Sequence, residues 1–302
     1  MKRKVMQVAD STYLISLPMK WVKEHKIKKG DELDIQAEGY QLTIRSERAT
    51  VLEEREIELK NFSIMTERTI HALYKKGVDL ITILVEDPKD IERIQKSINK
   101  ETVGYEIVDQ SSNSCTIRSV ASHIGEFDNL LKRIFLVQMT MGKDSLSAIE
   151  KKEFERLKQV KYLEETNNRL TTLCRRAINK QEEEIQKVGP MYYIIEDMEN
   201  LADEYKYMFD FILEQKNLRV SNKIKEIYAD VNQMMEDFYK LFYQFDEKIV
   251  VKLGNERKRL IQEMRNYMEK CNNKVECRML HHLEIIAQKI FCLVGPSLVL
   301  TL

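Results

Sequence analysis

A helical pattern used twice is the feature that most constrains this chain. Between Gly189 and Gln215, apolar residues recur at three- and four-residue steps: Ile194, Ile195, Met198, Leu201, Ala202, Tyr205, Met208 and Phe209. That spacing lays them along one buried helical face. Gly189-Pro190 ends one helix and opens the next, with Pro190 suited to the first helical position. The pattern returns 85 residues later (284 − 199), in Met279 to Phe291. Ile194 then falls on Met279, Ile195 on Leu280, Met198 on Leu283, Leu201 on Ile286, Ala202 on Ala287 and Tyr205 on Ile290. A recurrence of this kind predicts one helical unit present in two copies.

Glu199 and Asp203 lie four apart, so their carboxylates point the same way. In the second copy Glu284 takes the place of Glu199, and Gln288 that of Asp203. The segments Met198-Glu199-Asn200-Leu201-Ala202-Asp203 and Leu283-Glu284-Ile285-Ile286-Ala287-Gln288 resemble the LERI(G/A)D helix of the PhoU family of phosphate-uptake regulators. The resemblance implies tandem three-helix repeats whose ExxxD pairs face a groove and bind an iron- or zinc-type metal ion. In that family, acids and amides on neighbouring helices complete the cluster. By order along this chain the candidates are Asp128, Glu164, Glu165 and Asn168, with Glu284, Asp230 and Asn232 for the second copy. Carboxylates and amides are hard oxygen donors suited to a divalent or ferric ion. Solvated charge on the bundle faces is the alternative. His281 and His282, adjacent on a helix and about 100° apart, read as surface residues.

From 121 onward the pattern is all-helical. Helix one is expected over His123–Met141, ended by Gly142, and helix two from about Ser145 to Lys187. Helix three is the stretch after Gly189, and helix four follows the N-cap pair Ser221 and Asn222. Helix five spans about Phe245–Lys270 and helix six Val275–Leu293. Three plus three helices fit a tandem up-down bundle, with repeats at about 121–217 and 218–302.

The first fifty residues alternate instead. Val5 and Gln7, then Tyr13, Ile15 and Leu17, read as two strands around Ala9-Asp10-Ser11. Pro18 opens a short helix with Trp21 and Val22, Lys29-Gly30-Asp31 turns, and Leu33, Ile35, Leu42 and Ile44 form a second strand pair. So small a unit buries too little to stand alone, and it is expected to pair with a second copy. The run Ser11 to Val22 with its SLPxxW, followed by Ile27 to Leu33 with its GDEL, resembles the AbrB/SpoVT swapped-hairpin family over residues 1–48. That implies an intertwined homodimer whose joint surface binds double-stranded DNA, with Lys2, Arg3, Lys4, Ser11, Thr12, Lys20 and Lys23 as contact residues. The charges agree: Met1–Gly30 carries eight basic residues against Asp10 and Glu24. Some members of that fold instead use the hairpin only to dimerise or to bind a toxin.

Residues 49–120 read as strand, helix, strand, helix, strand, strand, a compact α/β module. Asp87-Pro88 is expected to start its second helix. With no glycine-rich phosphate loop, it reads as a spacer or protein-contact module rather than a ligand pocket. An AbrB-like hairpin joined to a PhoU-like bundle is similar to the overall order of archaeal PhoU-like proteins.

The fold expected is therefore multidomain: β swapped hairpin, α/β linker module, all-α tandem bundle. Net charge is zero over 302 residues, which confines any nucleic-acid role to a local patch. Five cysteines without a CxxC pair argue against disulfides and for a cytoplasmic setting. No apolar run reaches the roughly 20 residues of a membrane helix, so the chain is not expected to be membrane-embedded. No nucleophile or substrate-orienting loop is evident, so an enzyme is not expected. These readings give a DNA-binding regulator of phosphate uptake whose bundle senses or docks through a metal and a transporter or signalling protein. The alternative is an adaptor that represses a phosphate transporter by protein contact alone.

Overall fold

The computed structural model describes residues 1–8, 11–46, 52–87, 89–120, 126–180, 187–215 and 218–302. It has two compact units, Met1–Glu53 and Glu54–Leu302. In the first, β1 (Val5–Val8) and β2 (Thr12–Ile15) pair antiparallel, α1 (Met19–Glu24) follows, and β3 (Leu33–Glu38) pairs antiparallel with β4 (Gln41–Ser46). This is the order the alternation predicts; the turn at Ala9-Asp10 lies outside the described residues. Asp31 Oδ2 accepts from the Lys28 backbone N–H at 2.6 Å, closing the turn around Gly30, whose φ of 92° disfavours any side chain. No described residue of this unit is buried. Its strands expose Val5 (63%), Tyr13 (67%), Ile35 (57%) and Leu42 (57%).

The second unit opens with β5 (Glu54–Glu58), α2 (Thr66–Lys76), β6 (Leu80–Leu84), α3 (Lys89–Glu101), β7 (Tyr105–Gln110) and β8 (Ser114–Ser119). The sheet order is β5-β6-β8-β7, with β5 parallel to β6 and the other pairs antiparallel. Ile91, Ile94 and Ile98 line the buried side of α3 at helical spacing. Pro88 lies outside the described residues; Asp87 Oδ1 accepts from the Lys89 N–H at 2.9 Å where α3 begins.

Helices follow: α4 (Phe127–Lys151), α5 (Phe154–Lys161), α6 (Leu163–Lys180), α7 (Val188–Leu213), α8 (Asn222–Tyr243), α9 (Glu247–Lys270), α10 (Lys274–Cys292) and α11 (Val294–Thr301). The chain thus has N-terminal β hairpins, a middle α/β sheet and a C-terminal helical bundle. All the apolar residues matched between the two helical copies are buried. The module and the bundle share one apolar core, from Leu59 to Val294.

Several sequence expectations need correction. Gly142 does not end a helix; α4 runs through it. Its missing side chain lets α8 approach: Asn232 Nδ2 donates to the Gly142 carbonyl at 3.0 Å, and a Cβ there would overlap Asn232 Oδ1. The single long second helix is two, because Lys152 adopts φ 60° and ends α4, after which the chain restarts as α5 and α6. The expected start at His123 and the stretch 181–186 lie outside the described residues. The C-terminal apolar run is helical through Gly295-Pro296. Pro296 sits in the first turn of α11, where a missing N–H is tolerated. Lys274–Thr301 is consequently a 28-residue helical stretch of mean hydropathy 1.7 in its most apolar window, long and apolar enough to cross a membrane. Met279, Leu280, Leu283, Ile286, Ala287 and Ile290 from it are fully buried in this fold, and α10 packs on α7, α8 and α9.

Candidate functional sites

In the N-terminal unit, Lys2, Arg3 and Lys4 are exposed ahead of β1, and Ser11 and Thr12 are exposed at the start of β2. Lys20 and Lys23 are exposed on α1, where Lys20 meets Glu24 at 3.7 Å. Lys2, Arg3, Lys4 and Lys23 have no carboxylate within ion-pair distance among the described residues. Positive charge left unpaired on a small unit is what a phosphate backbone attracts.

In the second unit, a cleft of about 510 Å³ separates α2 and α3 from α6 and α7. Glu67, Arg68, His71 and Lys75 of α2 and Lys100 and Glu101 of α3 form one wall. The other is Glu164 and Asn168 of α6 with Glu196, Glu199, Asn200, Asp203, Lys206 and Tyr207 of α7. The module expected to be a spacer or protein contact rather than a ligand pocket therefore supplies one wall of the cleft. Packing fixes it there. Arg176, buried on α6, donates to the carbonyls of Tyr74 (3.0 Å) and Val78 (2.8 Å) and to Asp79 Oδ1 (2.8 Å). Its guanidinium also lies 4.9 Å from the Tyr74 ring centre.

Four residues picked out for a metal cluster, Glu164, Asn168, Glu199 and Asp203, line this cleft. Asp128 does not. It is exposed in the first turn of α4, near Tyr243. Glu284, the candidate of the second copy, lines a separate cleft with Arg265 and Gln288 and accepts from Arg265 on α9 at 2.7 and 3.0 Å. Order along the chain placed Asp128 on the first bundle helix but could not say which way that helix faces. His282 is also not a surface residue: it is buried, with Nδ1 2.6 Å from Glu204 Oε1.

The carboxylates of the cleft already have counter-charges. Arg175, fully buried, pairs with both Glu196 and Glu199. Lys206 pairs with Asp203 and, at 2.7 Å, with Glu164 Oε1, which also accepts from Asn168 Nδ2 at 2.7 Å. Burial alone would lower the Lys206 pKa; its hydrogen bonds to Asp203 and Glu164 outweigh burial and raise it. Glu101 shows the same contest: burial pushes its carboxyl up, but the bond with His71 Nδ1, at 2.7 Å, leaves it below the usual value. Lys75 goes the other way, lowered first by burial and then by the Arg175 guanidinium. A metal ion needs several open oxygen donors. Here Asn168 Oδ1 is buried with no hydrogen-bond partner, while the carboxylates around it hold ammonium and guanidinium groups. Among the described residues, no three His, Cys, Asp or Glu side chains are grouped to hold a metal. The residues as arranged do not fit one. Sequence reasoning missed Arg175, Lys206, Lys75 and His71; only Lys206, three residues after Asp203, carried a local signal.

Residues 6–50 match a family described as antidote-toxin recognition MazE, bacterial antitoxin. The hairpin unit is thus similar to the MazE/AbrB type. Among solved structures, the crystal structure of the phosphate transport system regulatory protein PhoU from Streptococcus pneumoniae aligns at 13% identity with a TM-score of 0.49. The alignment covers 59% of this chain and 94% of that one. None of the curated proteins matches the chain.

Proposed function

We propose that this protein is a cytoplasmic, homodimeric, DNA-binding regulator of phosphate uptake, without enzymatic activity. The observation that carries the DNA half is the N-terminal unit: apolar strands with no buried residue among those described, beside exposed lysines and an arginine with no carboxylate partner among the described residues. A second copy would cover the strands and double the charge. The resemblance of residues 6–50 to MazE, read with the SLPxxW and GDEL motifs, supports that use. The phosphate half rests on the two LERI(G/A)D-like segments, whose apolar residues are buried at matched positions. The bundle would dock onto a transport or signalling protein, as the PhoU resemblance implies, and the order of the chain's parts resembles that of archaeal PhoU-like proteins.

The adaptor reading has its own support, because the matching family is described by recognition of a toxin, a protein contact. Charge reversal separates the two. Lys2→Glu with Arg3→Glu in the full chain is expected to abolish duplex binding in a gel shift and to release control of phosphate uptake. Retained control without duplex binding would favour the adaptor and remove the DNA half.

A further inference from the structure

In the groove that the PhoU resemblance assigns to a metal ion, the acids are paired with the chain's own cations. Arg175 reaches it from α6 and bridges Glu196 and Glu199. Lys206 reaches it from α7, one turn beyond Asp203, and bridges Asp203 and Glu164. The second copy shows the same substitution. Glu284, which stands where Glu199 does, accepts from Arg265 on the neighbouring helix α9, at 2.7 and 3.0 Å. Gln288, which stands where Asp203 does, accepts from Arg257 on α9 at 2.9 and 3.0 Å. In both copies, then, a side chain from the adjacent helix occupies the glutamate of the repeated motif, and a basic side chain occupies the position four residues on.

We infer that Arg175 and Lys206 stand in for a metal ion, so that the bundle holds its acidic groove together without one. Two features make the substitution physically sound. Arg175 is fully buried and planar, and it spans two carboxylates with fixed donors, which a hydrated ion would otherwise bridge. Lys206 is held charged by the two carboxylates it joins. A divalent ion entering between Glu164 and Asp203 would meet an ammonium already there. Like-charge repulsion at that range, in a partly buried setting, opposes binding. The open Asn168 Oδ1 is a single donor and does not replace the pair. This inference concerns the bundle alone and stands or falls apart from DNA binding.

The test is metal content of the full chain, prepared without chelator, incubated with Zn²⁺, Mn²⁺ or Fe²⁺ and desalted. The variants are Lys206→Met and Lys206→Gln, with Lys206→Arg as the cationic control. The natural chain and Lys206→Arg are expected to retain far less than one ion per chain, and chelator should leave their melting temperatures unchanged. Lys206→Met and Lys206→Gln, with Glu164 and Asp203 released, are expected to retain an ion and to melt higher with it than without it. Stoichiometric metal in the natural chain, lost in Glu199→Gln with Asp203→Asn, would overturn the inference. So would natively folded Lys206→Met and Lys206→Gln that bind no metal. If neither variant folds even with metal present, the cation is not interchangeable with an ion and the inference fails as well.

Discussion

At the scale of single residues, the most consequential side chain outside the cleft is Arg176. Its removal takes one hydrogen bond each from the Tyr74 and Val78 carbonyls, which keep the Gly77 N–H (2.9 Å) and the Tyr105 hydroxyl (2.6 Å), and takes a cation from the buried Asp79, which keeps Lys180 at 2.6 Å. Arg176→Ala is therefore expected to cost about 2 kcal/mol, within the range for losing hydrogen bonds to a charged group, read as a lower urea midpoint. Nothing local in the sequence announces Arg176, because its partners lie about a hundred residues earlier. Glu199 and Asp203 were legible for the opposite reason: spacing within one helix fixes which way two side chains point. Glu276 gives a pH-dependent test. Burial pushes its carboxyl up, but bonds from the Tyr267 hydroxyl (2.7 Å) and the Ser221 N–H (2.6 Å) outweigh it and leave the pKa below the usual 4.5. A depressed folded-state pKa stabilises the fold above the unfolded value, and that contribution is lost as pH falls through the folded one. Tyr267→Phe should cost about 1.5 kcal/mol at pH 7, as expected for a bond to a charged acceptor. The gap between the two urea midpoints should narrow as pH drops below the usual carboxylate range.

At the scale of elements, the two-copy helix was readable because its apolar period survives in both copies, and the helix breaks were not. Gly142 looked like a terminator, yet it is a contact point where α4 and α8 meet. Glycine signals a stop and a close approach with the same letter, and only the neighbour distinguishes them. Gly142→Ala gains about 1 kcal/mol of helix propensity but must displace Asn232 and crowd the Tyr205 hydroxyl, 3.0 Å from the new Cβ. Overpacking of this kind costs about 1–3 kcal/mol, so net destabilisation is expected, seen as a lower melting temperature. The α9–α10 turn was also written locally: Asn273 caps α10 by accepting from the N–H groups of Val275 (3.1 Å) and Glu276 (3.4 Å). Asn273→Ala should cost about 1 kcal/mol, measured by the same denaturation.

At the scale of the whole molecule, the chain contrasts a small unit with no buried residue among those described and a large one with a continuous core. The order of strands in the small unit was legible from alternation and turn residues. The joining of the α/β module to the bundle was not, because the contacts that join them are long-range. If the small unit acts as proposed, duplex binding by the full chain should weaken linearly on a log–log salt plot, with a slope of about −0.9 per phosphate neutralised. That binding depends in turn on the exposed apolar strands finding a cover. The most direct measurement is the solution mass of the full chain by light scattering, beside Ile15→Asp with Leu42→Asp. The expected result is twice the 35.8 kDa chain mass for the natural protein and a monomer with an intact helical spectrum for the variant. A natural chain that stays at 35.8 kDa while natively folded, or a variant that remains dimeric, would contradict it.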